Sequence, residues 1–281
     1  MKEDTMPIPS NFQFTQGNLQ DYVDCPRRFQ LRYLLQCTWP APQAEPLAEA
    51  EKRMEMGQAF HRLVYQHTLG IPADVLTRAV TDPDLARWWH NYLTAPPPAL
   101  PSRLRRAEIV LSAPLSGYRL VAKYDLVAVT PGERLVIVDW KTGPRRPARS
   151  TLESRLQTRL YRYLLVEAGT PLNEKQPVRP EQVQMIYWFA DYPTQPEYFP
   201  YDTGQFLADS DYLHRLVAEI GQHNEAIWPL TPDERLCLFC HYRSLCARKI
   251  TTGPLNDLAD EQATALTDFD VDLEQVAEIA L

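Results

Sequence analysis

The sequence predicts one α/β domain, a mixed β-sheet flanked by helices on both sides, and three observations carry that reading. Apolar residues recur at helical spacing before residue 95, at period two or in apolar runs over residues 105–140, and at helical spacing again after residue 152. The stretch Ala95-Pro96-Pro97-Pro98-Ala99-Leu100-Pro101 marks the first switch, because consecutive prolines cannot continue a helix. With 281 residues, 44% of them hydrophobic, the chain can bury one large core.

In chain order, residues 18–36 read as helix in two pieces, with Pro26 suited to the first turn of the second. Residues 50–69 and 73–93 follow as helices, the first through Met54, Gly57, Phe60, His61 and Val64. Residues 105–113, 118–129 and 134–140 read as a β-meander turning at Ser116-Gly117 and Pro131-Gly132. A helix over 152–167, a buried strand over 183–190 and a long helix over 205–228 complete the βββαβ order.

The composition narrows the setting. No apolar run approaches the roughly 20 residues that span a bilayer, and Met1-Lys2-Glu3-Asp4 lacks the apolar stretch of a secretory signal. A cytoplasmic protein without a membrane partner is expected. There thiols stay reduced, so Cys25, Cys37, Cys237, Cys240 and Cys246 read as metal ligands or buried thiols instead of disulfides. The net charge of −7 is unevenly spread: residues 251–281 hold eight acids and no Lys or Arg. Without them the first 250 residues carry 29 basic and 28 acidic side chains. Basic clusters fall at Arg103, Arg105, Arg106 and from Lys141 to Arg162, so a nucleic-acid partner remains open despite the overall charge. Two units are expected: a body over 1–250, and an acidic amphipathic tail over 251–281 with Leu255, Leu258, Leu266, Phe269, Leu273, Val276 and Ala280 on its apolar face.

The chemistry concentrates on two adjacent strands. Asp125 ends Lys123-Tyr124-Asp125, and Asp139 and Lys141 lie two apart on the next strand, hence on one face. Two carboxylates and one ammonium suit phosphodiester hydrolysis, the acids holding Mg²⁺ or Mn²⁺ and the lysine orienting water or offsetting charge. An Asp-x-Lys pair at a strand end is also a common salt bridge. Gln157 and Tyr161, four apart on a helix with Arg155, Arg159 and Arg162, add a second group. His61 sits on a mostly apolar helix, Cys25 precedes Pro26, and Cys237-x2-Cys240-x5-Cys246 closes the series. Glu108, on a strand of the right kind, is placed where it could approach the metal, but it reads first as a structural or surface residue.

Together these residues resemble the RecB-like branch of the PD-(D/E)XK nuclease superfamily, over about residues 18 to 248. The iron–sulfur members are the nearest in pattern: CRISPR-adaptation nucleases, the AddB nuclease domain and exonuclease V. The resemblance implies a restriction-endonuclease-like fold whose N- and C-terminal segments are joined by a four-cysteine metal cluster. It implies His61, Asp125, Asp139 and the Trp140 carbonyl as metal ligands, Lys141 as the catalytic lysine, and Gln157 with Tyr161 near the DNA. It also makes Cys25 the fourth cysteine ligand beside Cys237, Cys240 and Cys246, leaving Cys37 as a buried thiol. Four thiolates hold a [4Fe–4S] cluster or a structural zinc ion equally well; the wide separation of the fourth cysteine and the resemblance favour iron–sulfur.

The implied activity is Mg²⁺- or Mn²⁺-dependent DNA hydrolysis, exonucleolytic on single strands, with the Arg-rich helix on phosphates. DNA repair, recombination or CRISPR adaptation would be its setting. The chain has no Gly-x4-Gly-Lys-[Ser/Thr] loop, so a motor would have to come from a helicase partner, or the protein works with an integrase or alone. The alternative is a non-catalytic DNA-binding iron–sulfur subunit, against which the intact Asp125, Asp139 and Lys141 argue. A redox role leaves those three without a use. His223-Asn224-Glu225 before Cys237-x-x-Cys240 imitates a zinc deaminase, but Leu236 stands where that motif has proline.

Overall fold

A computed structural model describes residues 8–37, 45–238, 240–246 and 248. The acidic tail expected over 251–281 lies outside them.

The chain opens with a short strand β1 (Gln13–Phe14) and helix α1 (Gln16–Asp24). Thr15 caps α1 in a reciprocal box with Asn18, satisfying backbone N–H groups that the first turn leaves without partners. Helix α2 (Pro26–Phe29) starts on Pro26, whose fixed φ suits the first turn, and continues as a π-helical turn over Gln30–Leu34. Helix α3 (Glu45–Thr68) follows. The helix expected over 73–93 is two helices, α4 (Ala73–Ala79) and α5 (Pro83–Thr94). Asp82 caps the second and Pro83 opens it, a stop-and-start signal that the shared apolar periodicity hides.

Strands β2 (Leu104–Leu115), β3 (Tyr118–Thr130) and β4 (Arg134–Lys141) form the meander. The helix expected over 152–167 is also split at Arg155, into α6 (Arg149–Ser154) and α7 (Leu156–Ala168). Then come β5 (Val183–Phe189), β6 (Tyr192–Pro200) and α8 (Thr203–Gln222), the last shorter than the expected 205–228. β6 was not legible in sequence. It carries Pro193, Pro196 and Pro200, tolerated because it pairs only with β5 at the sheet edge.

The six strands make one mixed sheet. β2 lies antiparallel along one side of β3, whose other side is shared by β1 at Arg119–Leu120 and β4 at Leu126–Thr130. β4 runs parallel to β5 through the α6–α7 crossover, and β6 closes the edge antiparallel to β5. One face of the sheet packs through Leu135, Ile137, Met185 and Tyr187 on Phe29, Leu160, Leu164, Leu213 and Val217. The other packs through Val136, Val138, Ile186 and Trp188 on Phe60, Val64, Trp88 and Trp89. Helices cover both faces, which is why β4 and β5 read as near-continuous apolar runs.

The two ends of the described chain meet on the first face. Phe29 stacks on Trp228 with centroids 5.5 Å apart, Arg27 N–H donates to the Pro229 carbonyl, and the Gln30 amide bonds both Ala226 and Trp228 backbones. The N- and C-terminal segments are thus joined by packing and hydrogen bonds; the four-cysteine cluster expected to join them is not evident among the described residues.

Candidate active site

The Ser116-Gly117 hairpin has both residues at positive φ (49° and 86°), a two-residue turn whose twist suits a hairpin. It pairs Leu115 with Tyr118, and continuing that register sets Glu108 directly across from Asp125. Both strands change face there. Tyr124 and Ile109 belong to one core layer, Leu126 and Ala107 to the other, although residues two apart share a face along a regular strand. Glu108 absorbs the change with φ of 55°, a left-handed conformation uncommon for a non-glycine residue. The ladder between β3 and β4 also stops at Leu126–Val138, so Asp125, Asp139, Trp140 and Lys141 stand where the strands part.

His61 reaches this opening from α3. Its Nδ1 lies 3.3 Å from Asp125 Oδ1, and its Nε2 lies 3.1 Å from the Trp140 carbonyl oxygen. Asp125 Oδ2 accepts the Trp140 backbone N–H at 2.9 Å, tying the carboxylate to β4. Gly57 stands one helical turn before His61, and a Cβ there would come within 3.0 Å of the Thr142 hydroxyl, so a small residue lets α3 sit this close. Burial disfavours the charged imidazole, yet the surrounding carboxylates, Asp125 foremost with Asp139 and Glu108, together outweigh it and hold His61 above its ordinary pKa. Burial likewise favours the neutral Asp125 carboxyl, but His61 and the Trp140 N–H keep it below the usual range.

On the opposite side of the strand parting, Asp139, Lys141 and Gln157 close a polar triangle. The Gln157 amide donates to Asp139 Oδ1 at 2.7 Å and accepts from Lys141 Nζ at 2.9 Å. Lys141 Nζ is also 3.0 Å from Asp139 Oδ2, but off the direction of a hydrogen bond, so this buried oxygen keeps an unused lone pair. Burial pushes the Asp139 carboxyl up to about 6, against the pull of Lys141. Tyr161, one turn deeper on α7, is buried with its ring 4.9 Å from that of Tyr124, whose hydroxyl donates to the Tyr161 carbonyl. Gln157 and Tyr161 thus share a face, as their spacing of four requires.

His61, Glu108 and Asp125 offer ligand atoms all within 4.8 Å of one another, a group able to hold a divalent metal ion. An imidazole nitrogen with two carboxylates, beside a backbone carbonyl, suits Mg²⁺ or Mn²⁺. Glu108, read in sequence as structural or surface, is corrected to a member of this group. The signal that could have found it was the hairpin register. Asp139 stands outside the trio, on the lysine side.

The basic residues are less available than their spacing suggests. Arg159 Nε is 2.6 Å from Asp209 Oδ1 on α8, and buried Arg162 donates to the carbonyls of Thr158 and Pro200. Arg146 and Arg149 both pair with Glu197, and Arg103 pairs with Glu174. In the Arg-rich helix expected on phosphates, Arg159 and Arg162 are engaged by a buried acid from α8, a partner that sequence separation concealed.

Cys237 and Cys246 end two 3₁₀ turns, Glu234–Cys237 and Arg243–Cys246, and Cys25 ends α1. Burial pushes the Cys240 thiol up to about 11, with Cys25 and Cys246 adding to the effect, and Cys246 in turn feels Cys25 and Cys237. The four thiols therefore lie in one neighbourhood. Among the described residues, however, only the His61 group brings three donors within metal-binding distance. Cys37, expected to be buried, is half-buried. No described helix is long and apolar enough to cross a membrane.

Residues 13–247 match the sequence model of the PD-(D/E)XK nuclease superfamily. No curated protein matches in sequence. Among solved structures, the crystal structure of SSO0001 is similar at 13% identity and a TM-score of 0.40, with 85% of this chain and 87% of that one covered. A protein of Eubacterium rectale described as a candidate exonuclease is similar at 7% identity and a TM-score of 0.44, with 90% and 91% covered. With the family model spanning every strand and every residue of the site just described, this chain belongs to the PD-(D/E)XK nuclease superfamily.

Proposed function

We propose that the protein is a Mg²⁺- or Mn²⁺-dependent deoxyribonuclease, acting as an exonuclease on single strands. The observation that carries the reading is the gathering of His61, Asp125, the Trp140 carbonyl, Asp139, Lys141 and Gln157 where β3 and β4 part. His61, Glu108, Asp125 and the Trp140 carbonyl, with Asp139 across from them, would hold the cation, which when bound would make water a nucleophile at neutral pH and offset phosphate charge. Lys141, fixed by Gln157, places an ammonium beside the phosphate and the attacking water. Gln157 keeps Asp139 and Lys141 in one orientation, and Tyr161 braces α7 against β3 through Tyr124. Digestion of an end-labelled single strand with Mn²⁺, with and without chelator, tests this. Persistent inactivity of pure, metal-loaded protein overturns it, and release of internal fragments instead of single nucleotides overturns the exonuclease part.

His61→Ala is expected to reduce Mn²⁺-supported activity more than Mg²⁺-supported activity, since imidazole prefers the softer ion. Rate measured against each metal in turn checks this; equal losses would mark His61 as a packing residue.

Cys25, Cys237, Cys240 and Cys246 are proposed to bind one [4Fe–4S] cluster, with zinc as the alternative occupant. Any one of them changed to Ser should bleach the brown colour of anaerobic protein, whereas Cys37→Ser should keep it. Colourless wild type carrying zinc by elemental analysis would refute the iron assignment and leave the nuclease reading standing. DNA processing in repair, recombination or CRISPR adaptation, with a helicase or integrase partner, remains part of the proposal.

A further inference from the structure

Two demands compete for the charge of Glu108. Its carboxylate lies in the metal-capable group with His61 and Asp125, and it also forms an ion pair with Lys123. In the hairpin register Lys123 faces Val110, so it is the diagonal neighbour of Glu108 across the two strands, a position long side chains reach. Lys123 stands two residues before Asp125 at the rim of the site, its side chain 38% exposed against 23% for Glu108. One carboxylate is thus shared between a partly exposed ammonium and a group of donors able to hold a divalent cation.

The backbone supports a functional use of this carboxylate. A mid-strand residue at φ of 55° is strained, and such strain persists where the surroundings impose it, commonly at sites of function. Glycine would adopt that conformation at no cost. Charge points the same way. With His61 neutral, as ligation of a cation requires, Glu108, Asp125 and Asp139 against Lys123 and Lys141 leave one negative charge. A divalent cation makes that one positive, the right balance for a single phosphate.

Resting on the nuclease reading, we propose that Lys123 is a phosphate-positioning residue governed by Glu108: paired with Glu108 in the metal-free protein, and released to a backbone phosphate of the substrate strand when Glu108 turns to the cation. The two binding events are then coupled through one ion pair, and by linkage each strengthens the other. Lys123 is the competitor that must be displaced, so its removal favours the cation and weakens the strand.

The test is calorimetric titration of wild type, Lys123→Met, Lys123→Arg and Glu108→Gln with Mn²⁺ alone. Alongside it, anisotropy follows a fluorescent phosphorothioate single strand, checked intact on a gel, with and without Mn²⁺. Lys123→Met should bind Mn²⁺ about threefold tighter, the modest size fitting a partly exposed pair. Glu108→Gln should bind it at least about tenfold more weakly, as loss of a charged ligand requires. Mn²⁺ should tighten strand binding in wild type and Lys123→Arg, and the tightening should largely vanish in Lys123→Met. Glu108→Gly, which relieves the backbone, should melt no lower than wild type while also losing Mn²⁺ affinity. Unchanged Mn²⁺ affinity in Lys123→Met, or a full Mn²⁺ response of its strand binding, overturns the coupling while wild-type Mn²⁺ binding keeps the nuclease reading intact. A wild type with no saturable Mn²⁺ binding overturns both.

Discussion

Asp139→Asn and Lys141→Ala are each expected to lower DNA cleavage at least about a hundredfold while strand binding changes little. Both groups sit on the same face of β4, tied through Gln157, where they act on charge that develops during the reaction. Loss of one such preorganised group typically removes several kcal/mol of transition-state stabilisation, about a hundredfold or more in rate. The fold should respond in the opposite sense for Asp139. Its folded pKa of about 6 lies above the ordinary 3.8, so the charged form is the disfavoured one. The contribution of Asp139 to stability is complete below pH 3.8 and is lost as pH rises through about 6. That rise from 3.8 to about 6 corresponds to about 3 kcal/mol at the upper limit. Metal-free Asp139→Asn should therefore gain melting temperature relative to wild type between pH 4 and pH 7, as it loses activity. A variant that cleaves near the normal rate sinks the catalytic assignment. A melting difference that does not grow with pH sinks the account of Asp139 as a buried charge awaiting a cation.

Asp209→Ala is expected to destabilise the protein by about 3–5 kcal/mol, because it strands a buried charge without its partner. Asp209 accepts from Arg159 at 2.6 Å and from the Tyr201 hydroxyl at 2.9 Å, and its second oxygen lies 4.0 Å from Arg162. Arg162 is 3% exposed, and burial holds its guanidinium below the ordinary pKa. Removing the acid leaves Arg162 the Thr158 and Pro200 carbonyls and the face of the Tyr201 ring, 4.5 Å away, but takes away the carboxylate that offsets its charge. At roughly 2–4 °C per kcal/mol for a domain near this size, the melting temperature should fall by about 6–20 °C. Adding Arg162→Met should recover part of that loss, since it removes the most deeply buried of the charges left unpaired. If Arg159 and Arg162 instead served phosphates, Asp209→Ala would free them, tighten DNA binding and spare the melting temperature. Thermal melts of the single and double variants, with strand affinity measured alongside, separate the two.

Local residue patterns determined much of this protein. The period-two run of β2 to β4, the turn at Ser116-Gly117, the Asp139-x-Lys141 face and the i,i+4 pair Gln157 and Tyr161 are short-range features that backbone geometry alone specifies. Tertiary structure decided what those patterns could not carry. Glu108 joins the site because β2 and β3 switch faces together, so alternation counted along either strand assigns its side wrongly. Arg159 and Arg162 turn from an apparent phosphate stripe into structural cations because Asp209, about fifty residues away, arrives on α8. β6 escaped notice because its prolines are permitted only at an edge, and which strand is the edge is a property of the assembled sheet. The helix breaks at Asp82 and Arg155 were hidden by apolar faces that run on across them. Spacing names the residues that can share a face, whereas the charge and availability of each depend on partners brought from far along the chain by burial.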